Sequence, residues 1–209
     1  MTALPRRRAW LLAGLVATAT VATGCIPPRP SPTPAPEPPS TPTPTDAPAT
    51  ASAGVSGVVV DPSLLDLLPP DVNGVSLDPD PDMAAGIAAD GSIGLFVSAI
   101  ALAAAFGPIA TDTAADYVVV TVARLKPGTF DELFFRGWRD TFDAAVCEQA
   151  GGVSGHAESD ISGHHTHIGT CAGGVHTYHV HLPASDVIVS MQGTGEGRYG
   201  ERVVAGLTE

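Results

Sequence analysis

Between Ile26 and Pro48 the chain reads IPPRPSPTPAPEPPSTPTPTDAP, with eleven prolines in 23 residues and mostly Ser, Thr and Ala between them. Proline fixes φ and carries no backbone donor, so neither a helix nor a sheet can run through this stretch. It has little apolar side chain to bury and so cannot offset the entropy of ordering. A polyproline-like spacer rises about 3.1 Å per residue, which gives this one a reach of roughly 70 Å. The stretch therefore divides the chain. Whatever folds must lie after it, over residues 57–209, and that length suits one ordinary domain with a proper core.

What precedes the spacer explains why a tether is needed. Arg6, Arg7 and Arg8 stand before an apolar run from Ala9 to about Ala22, the charged and apolar regions of an export leader and too short for a comfortable membrane span. The run closes on Ala22-Thr23-Gly24-Cys25. These residues resemble the lipobox of bacterial lipoproteins, although Ala22 stands where Leu or Val is more usual. The resemblance covers about the first 25 residues and implies cleavage after Gly24, lipidation of Cys25 and anchoring to the outer face of the cytoplasmic membrane or cell envelope. Arg7-Arg8-Ala9-Trp10-Leu11 is also loosely similar to a twin-arginine export signal, so the export route stays open. The expected organisation is a signal peptide over 1–24, a lipidated and disordered tether over 25–56, and a folded domain over 57–209.

Losing Arg6 to Arg8 with the leader leaves seven basic against 22 acidic residues, a formal charge of −15. Such a surface repels nucleic acid and is compatible with cations. With Cys25 taken by lipid, Cys147 and Cys171 remain, and in an exported protein two remaining cysteines are expected to pair.

Within the domain, Ser63 to Leu68 reads as a short helix stopped by Pro69-Pro70, and Asn73-Gly74 as a turn. Asp78, Asp80 and Asp82 alternate with proline; their spacing does not fit an EF-hand, and an acidic loop with Asp82 near a helix start is expected. Ile93 to Ala110 is uncharged and alanine-rich and reads as a buried helix. Asp116 to Arg124 is a β-branched strand. From Phe130 the apolar positions Phe130, Leu133, Phe134, Trp138, Phe142 and Ala145 follow the helical period and predict a helix with that stripe in the core. Strands are expected near 156–161, 164–170, 175–182 and 186–192, then a helix near 201–207. The order implies an α+β domain: an antiparallel sheet of about four to five strands on two or three helices.

Six of the seven histidines fall between His164 and Leu182. On the last of those strands Tyr178, Val180 and Leu182 share one face and Thr177, His179 and His181 the other, so the apolar set should be buried and the histidines solvated. Loops at Ser162-Gly163 and Ala172-Gly173-Gly174 set the register: Glu158 beside His167, Asp160 beside His165, and His167 beside His179. One face then gathers His165, His167, His179, His181, Glu158 and Asp160. It could ligate Zn²⁺, Cu²⁺ or Ni²⁺, or respond to pH, or be a hydrated polar surface. The same register puts Cys171 on the histidine side while the Cys147 helix is expected on the apolar side, a conflict that the sequence leaves standing.

No G-x-S-x-G, H-E-x-x-H, C-x-x-C or P-loop pattern occurs. Gly195 to Gly200 spells G-x-G-x-x-G, but the chain ends too soon afterwards for a dinucleotide fold, so the match reads as a glycine-rich connection. The expectation is a non-catalytic binding or interaction module of the cell envelope, with an envelope protein or a small ligand as partner. Metal binding or pH response on the histidine face is the alternative, and a metal-dependent hydrolase is the less favoured one.

Overall fold

The computed structural model describes residues 57–108 and 116–209. The expected leader, Cys25 and the tether lie outside the described residues. The described part is α+β, as expected, but its sheet is larger than the four or five strands inferred from sequence. Ten strands occur in chain order: β1 (Val59–Val60), β2 (Asp71–Val72), β3 (Val75–Ser76), β4 (Asp78–Pro79), β5 (Val97–Phe106), β6 (Tyr117–Leu125), β7 (Val153–Ile161), β8 (His164–Cys171), β9 (His176–Leu182) and β10 (Val187–Thr194). Three α-helices, α1 (Pro81–Ala88), α2 (Glu132–Cys147) and α3 (Tyr199–Ala205), accompany them. Eight strands form one sheet in the order β1-β5-β6-β10-β9-β8-β7, with β4 also on β5, while β2 and β3 form a separate ribbon. The sheet is mixed rather than purely antiparallel, because β1 runs parallel to β5.

The largest departure from the sequence reading is Ile93–Ala110. A 3-10 turn at Ile93–Leu95 leads into β5, a ten-residue strand, where a helix was expected. A short uninterrupted apolar run cannot be assigned to helix or strand by periodicity when both faces are buried. That is the case here. Ala101, Ala103 and Ala105 pack on one side with Leu64 and Leu68, and Ile100 and Leu102 pack on the other with Ala84 and Ala88. The α-helix of this region comes earlier, at α1, where the Asp80 side chain caps the N-terminus by accepting from Met83 N at 2.9 Å. The acidic stretch is thus used structurally: Asp78 pairs in β4, Asp80 caps and Asp82 sits in the first turn.

Both faces of the sheet are covered. On one, the 3-10 helix Pro62–Leu67, the β2–β3 ribbon and α3 enclose Val118, Val120, Val122, Tyr178, Val180, Leu182, Val189 and Met191. On the other lie α1 and α2, over Ile100, Ala123 and Ile188. Among the described residues no helix is long and apolar enough to cross a membrane.

Candidate functional site

The register inferred for the histidine strands is the register observed. Ser162 and Gly163 both take positive φ, 52° and 92°, as a two-residue turn matched to strand twist requires. Across it Ala157 faces Ile168, Glu158 faces His167 and Asp160 faces His165. Across the next hairpin His167 faces His179 and Ile168 faces Tyr178.

What differs is the environment. The histidine face was expected to meet water; instead α2 lies on it. His179 is 0% exposed and belongs to the buried interior. The conflict over the disulfide disappears with this finding: the helix carrying Cys147 and the strand face carrying Cys171 are on the same side, and the two cysteines are bonded.

Part of the aromatic stripe packs on the sheet as expected, with Phe134 and Trp138 half-buried against its core and Phe142 edge-on to the His179 ring, but the deepest line of α2 is a different one. Phe135, Arg139, Asp143 and Cys147, each four apart, form the line against β8 and β9; Leu133, placed in the core by the sequence reading, is 77% exposed. Asp143, 1% exposed, is the centre of this line. Its carboxylate receives the Thr177 hydroxyl and lies 2.8 Å from His179 Nε2, with His156 Nε2 at 3.1 Å on its other oxygen. His179 Nδ1 lies 3.0 Å from Ser190 Oγ, which also accepts from the Trp138 indole N–H at 2.9 Å. Every member is satisfied when Ser190 donates to Nδ1 and Nε2–H donates to Asp143. Burial works to raise the Asp143 carboxyl, but the hydrogen bonds from His179 and Thr177 outweigh it and hold the group below the usual carboxylate value. Gly169 makes room for this approach: a Cβ there would stand 2.3 Å from Thr177 Oγ1 and 2.6 Å from Asp143 Oδ2.

The order Asp143–His179–Ser190 has the connectivity of a nucleophilic triad. Its chemistry is structural, because a nucleophile must reach a substrate carbon and Ser190 is fully buried beneath Trp138. Sequence reasoning missed Asp143. The one available signal was that an acidic residue four before Cys147 must share its face.

The six candidate ligands therefore separate. His179 is committed to Asp143. His181 stacks on Phe130, ring centroids 3.5 Å apart and 8° from parallel. Burial lowers its pKa below the usual histidine value, against the opposing pull of Asp186, Glu132 and Glu209. Glu158, His165 and His167 stay together at the β7–β8 hairpin, each offering a ligand atom within 4.8 Å of the others. Glu158 Oε1 is 3.1 Å from His167 Nδ1, and Asp160 Oδ1 is 3.5 Å from His165 Nδ1. A cleft of about 510 Å³ opens beside them, lined also by Glu132, His164, His181 and Glu209. Burial, followed by the Arg139 guanidinium, lowers the His167 pKa and favours the neutral ring.

The outer side of the aromatic stripe of α2 borders a groove. Phe134, Trp138, Phe142 and Ala145 line a predominantly apolar groove of about 560 Å³, closed on its other side by Ile87, Ile93 and Phe96. Gly137 lies on the same wall, mid-helix, and a Cβ there would meet nothing within 4 Å. Asp90 stands at the groove, its carboxyl held below the usual value by the backbone N–H and hydroxyl of Ser92.

The glycine-rich Gly195–Gly200 segment encloses an internal carboxylate. Gly197 N donates to Asp116 Oδ1 at 3.0 Å, and a Cβ at Gly195 would collide with the same oxygen. Comparison of the chain with protein-family models, curated proteins and solved structures gives no match.

Proposed function

We propose that this chain is an exported, lipid-anchored envelope protein whose folded domain is a non-catalytic binding module for an apolar small molecule. The ligand lies in the groove between α2 and the Ile87–Phe96 segment. One observation carries the reading. Phe134, Trp138 and Phe142 are only half-buried against the sheet and leave their outer sides to line this groove, while the deepest line of the helix carries Asp143. An amphipathic helix normally buries its apolar stripe, and an aromatic-lined groove of a few hundred Å³ with few polar groups has the dimensions and chemistry of a ligand site.

Gly137 supports the same conclusion. Glycine inside a helix costs about 1 kcal/mol relative to alanine, and among the described residues none stands close enough to Gly137 to exclude a side chain. Its absent side chain widens the groove. Asp90, ionised at the groove, favours a ligand whose polar end is neutral or cationic over a carboxylate or phosphate.

The test is titration of the full chain with Nile red, a neutral apolar probe, read by probe emission and Trp138 fluorescence. Saturable one-to-one binding is expected. Gly137→Phe fills the groove from a position with free space, so it should weaken binding by about tenfold or more while leaving the melting temperature unchanged or higher. Equal binding by Gly137→Phe, or no saturable binding by the natural chain, defeats the proposal.

A further inference from the structure

At the β7–β8 hairpin, away from the groove, we propose a divalent transition-metal site formed by Glu158, His165 and His167, with Zn²⁺ as the ion of fitting chemistry. Two imidazoles and a carboxylate are a standard zinc donor set that leaves a fourth position for water. The three ligand atoms converge within 4.8 Å, and they do so on paired strands rather than on a loose loop. The Glu158–His167 and Asp160–His165 cross-strand pairs are fixed by the Ser162-Gly163 turn, so the backbone needs no reordering and only side-chain freedom opposes binding. Asp160 lies 3.5 Å from His165 Nδ1, where a carboxylate orients a ligating ring and leaves Nε2 for the ion. His165 is 61% exposed on its side chain, so an ion reaches it directly from solvent.

The other histidines near this face already have partners. His179 serves Asp143, His181 lies on Phe130, and His164 Nε2 is 3.3 Å from the Leu207 carbonyl. One group opposes the ion. The Arg139 guanidinium contacts His167 Nδ1, on the side that Glu158 approaches. For the ion to bind, Arg139 must turn away, and Asp140, 3.4 Å from its other nitrogen, is at hand to receive it. Arg139 is thus a built-in competitor that sets affinity, and this makes the site distinguishable from an accidental cluster of surface histidines.

The experiment is a competition titration of the full chain with zinc chloride against a chromogenic chelator, together with melting curves with and without the ion. The natural chain should bind one Zn²⁺ and melt at a higher temperature in its presence. His165→Ala, at an exposed position, should keep the fold and lose affinity by about tenfold or more. Arg139→Gln should bind several-fold more tightly. His176→Ala, outside the site, should bind like the natural chain. Equal zinc affinity in His165→Ala, or no binding by the natural chain, overturns the site. Weaker binding in Arg139→Gln overturns the competitor role. Nile red titration of the same variants keeps this outcome separate from that of the groove.

Discussion

Both faces of the sheet carry apolar core, but where α2 and α3 dock over β9 and β10 they are held by different forces. On the α3 face the contacts are mainly apolar: Val120, Val180, Val189 and Met191 cluster with Val203 and Val204, joined by Tyr178 and Tyr199, and each apolar surface contributes in proportion to the area it removes from water. On the α2 face the same strands present Thr177, His179 and Ser190, fully buried, and the helix answers with Asp143 and Trp138. An apolar face tolerates small errors of shape at a graded cost. A buried polar network is stable only when every partner is present, because each orphaned group carries its full desolvation penalty. Trp138 belongs to both settings, its indole N–H joining the polar network while its ring borders the groove.

The comparison is broken most directly at Asp143. Asp143→Ala leaves His179, His156 and Thr177 without their shared acceptor and should cost about 3–5 kcal/mol in denaturant unfolding. Val189→Ala on the opposite face should cost only about 1–3 kcal/mol. Their responses to a second change should also differ. Adding His179→Ala to Asp143→Ala should cost much less than the two single losses together, whereas Val189→Ala and Val203→Ala should be nearly additive unless their shared packing couples them. Additive behaviour of the Asp143–His179 pair would remove the network interpretation.

Next in size is the covalent tie. The Cys147–Cys171 bridge spans 24 residues and closes the C-terminal end of α2 onto β8, so its removal by Cys147→Ala/Cys171→Ala should destabilise by about 3 kcal/mol. Because the bridge holds the α2 face only, amide exchange in α2 should accelerate more than in α3. Uniform acceleration would show that the faces unfold as one unit.

The smallest expected effect is in pH. His181 has a folded pKa below its ordinary 6.5, set by burial against the carboxylates of Asp186, Glu132 and Glu209. The unfolded chain therefore takes up its proton first as pH falls. Stability is full above about pH 6.5 and declines as pH drops from there through the folded value. His181→Phe retains an aromatic ring at the position that stacks on Phe130 and should flatten this part of the melting-temperature profile. Asp143 acts in a lower window: its depressed carboxyl pKa gives stability that is present above about pH 4 and lost below it. An unchanged profile in His181→Phe would assign the neutral-to-acid slope to another group.

Much of the local structure was legible. Strands β6 to β10, the α2 helix, the Asn73-Gly74 turn and the pairing of Glu158 with His167 follow from residue period and turn chemistry, whereas the Cys147–Cys171 pair was expected from cysteine count and export alone, against the face assigned to the Cys147 helix. β5 was not legible, since alanines buried on both sides carry no period. Nor was the role of Asp143: α2 also carries Glu132 and Asp140, and an acidic residue on an aromatic helix ordinarily marks the solvent side. Of the candidate ligands, Glu158, His165 and His167 remain together as their register requires, whereas His179 and His181 are taken up by packing.

By itself, the sequence determined which side chains stand next to one another across the hairpins, because pairing there depends on two-residue alternation and on glycines a few positions away. Only the tertiary structure decided which of those side chains meet water. That outcome depends on where α2 docks, and the docking is set by Asp143, Cys147 and their strand partners Cys171, Thr177 and His179, 24 to 36 positions beyond them, contacts that no local pattern encodes.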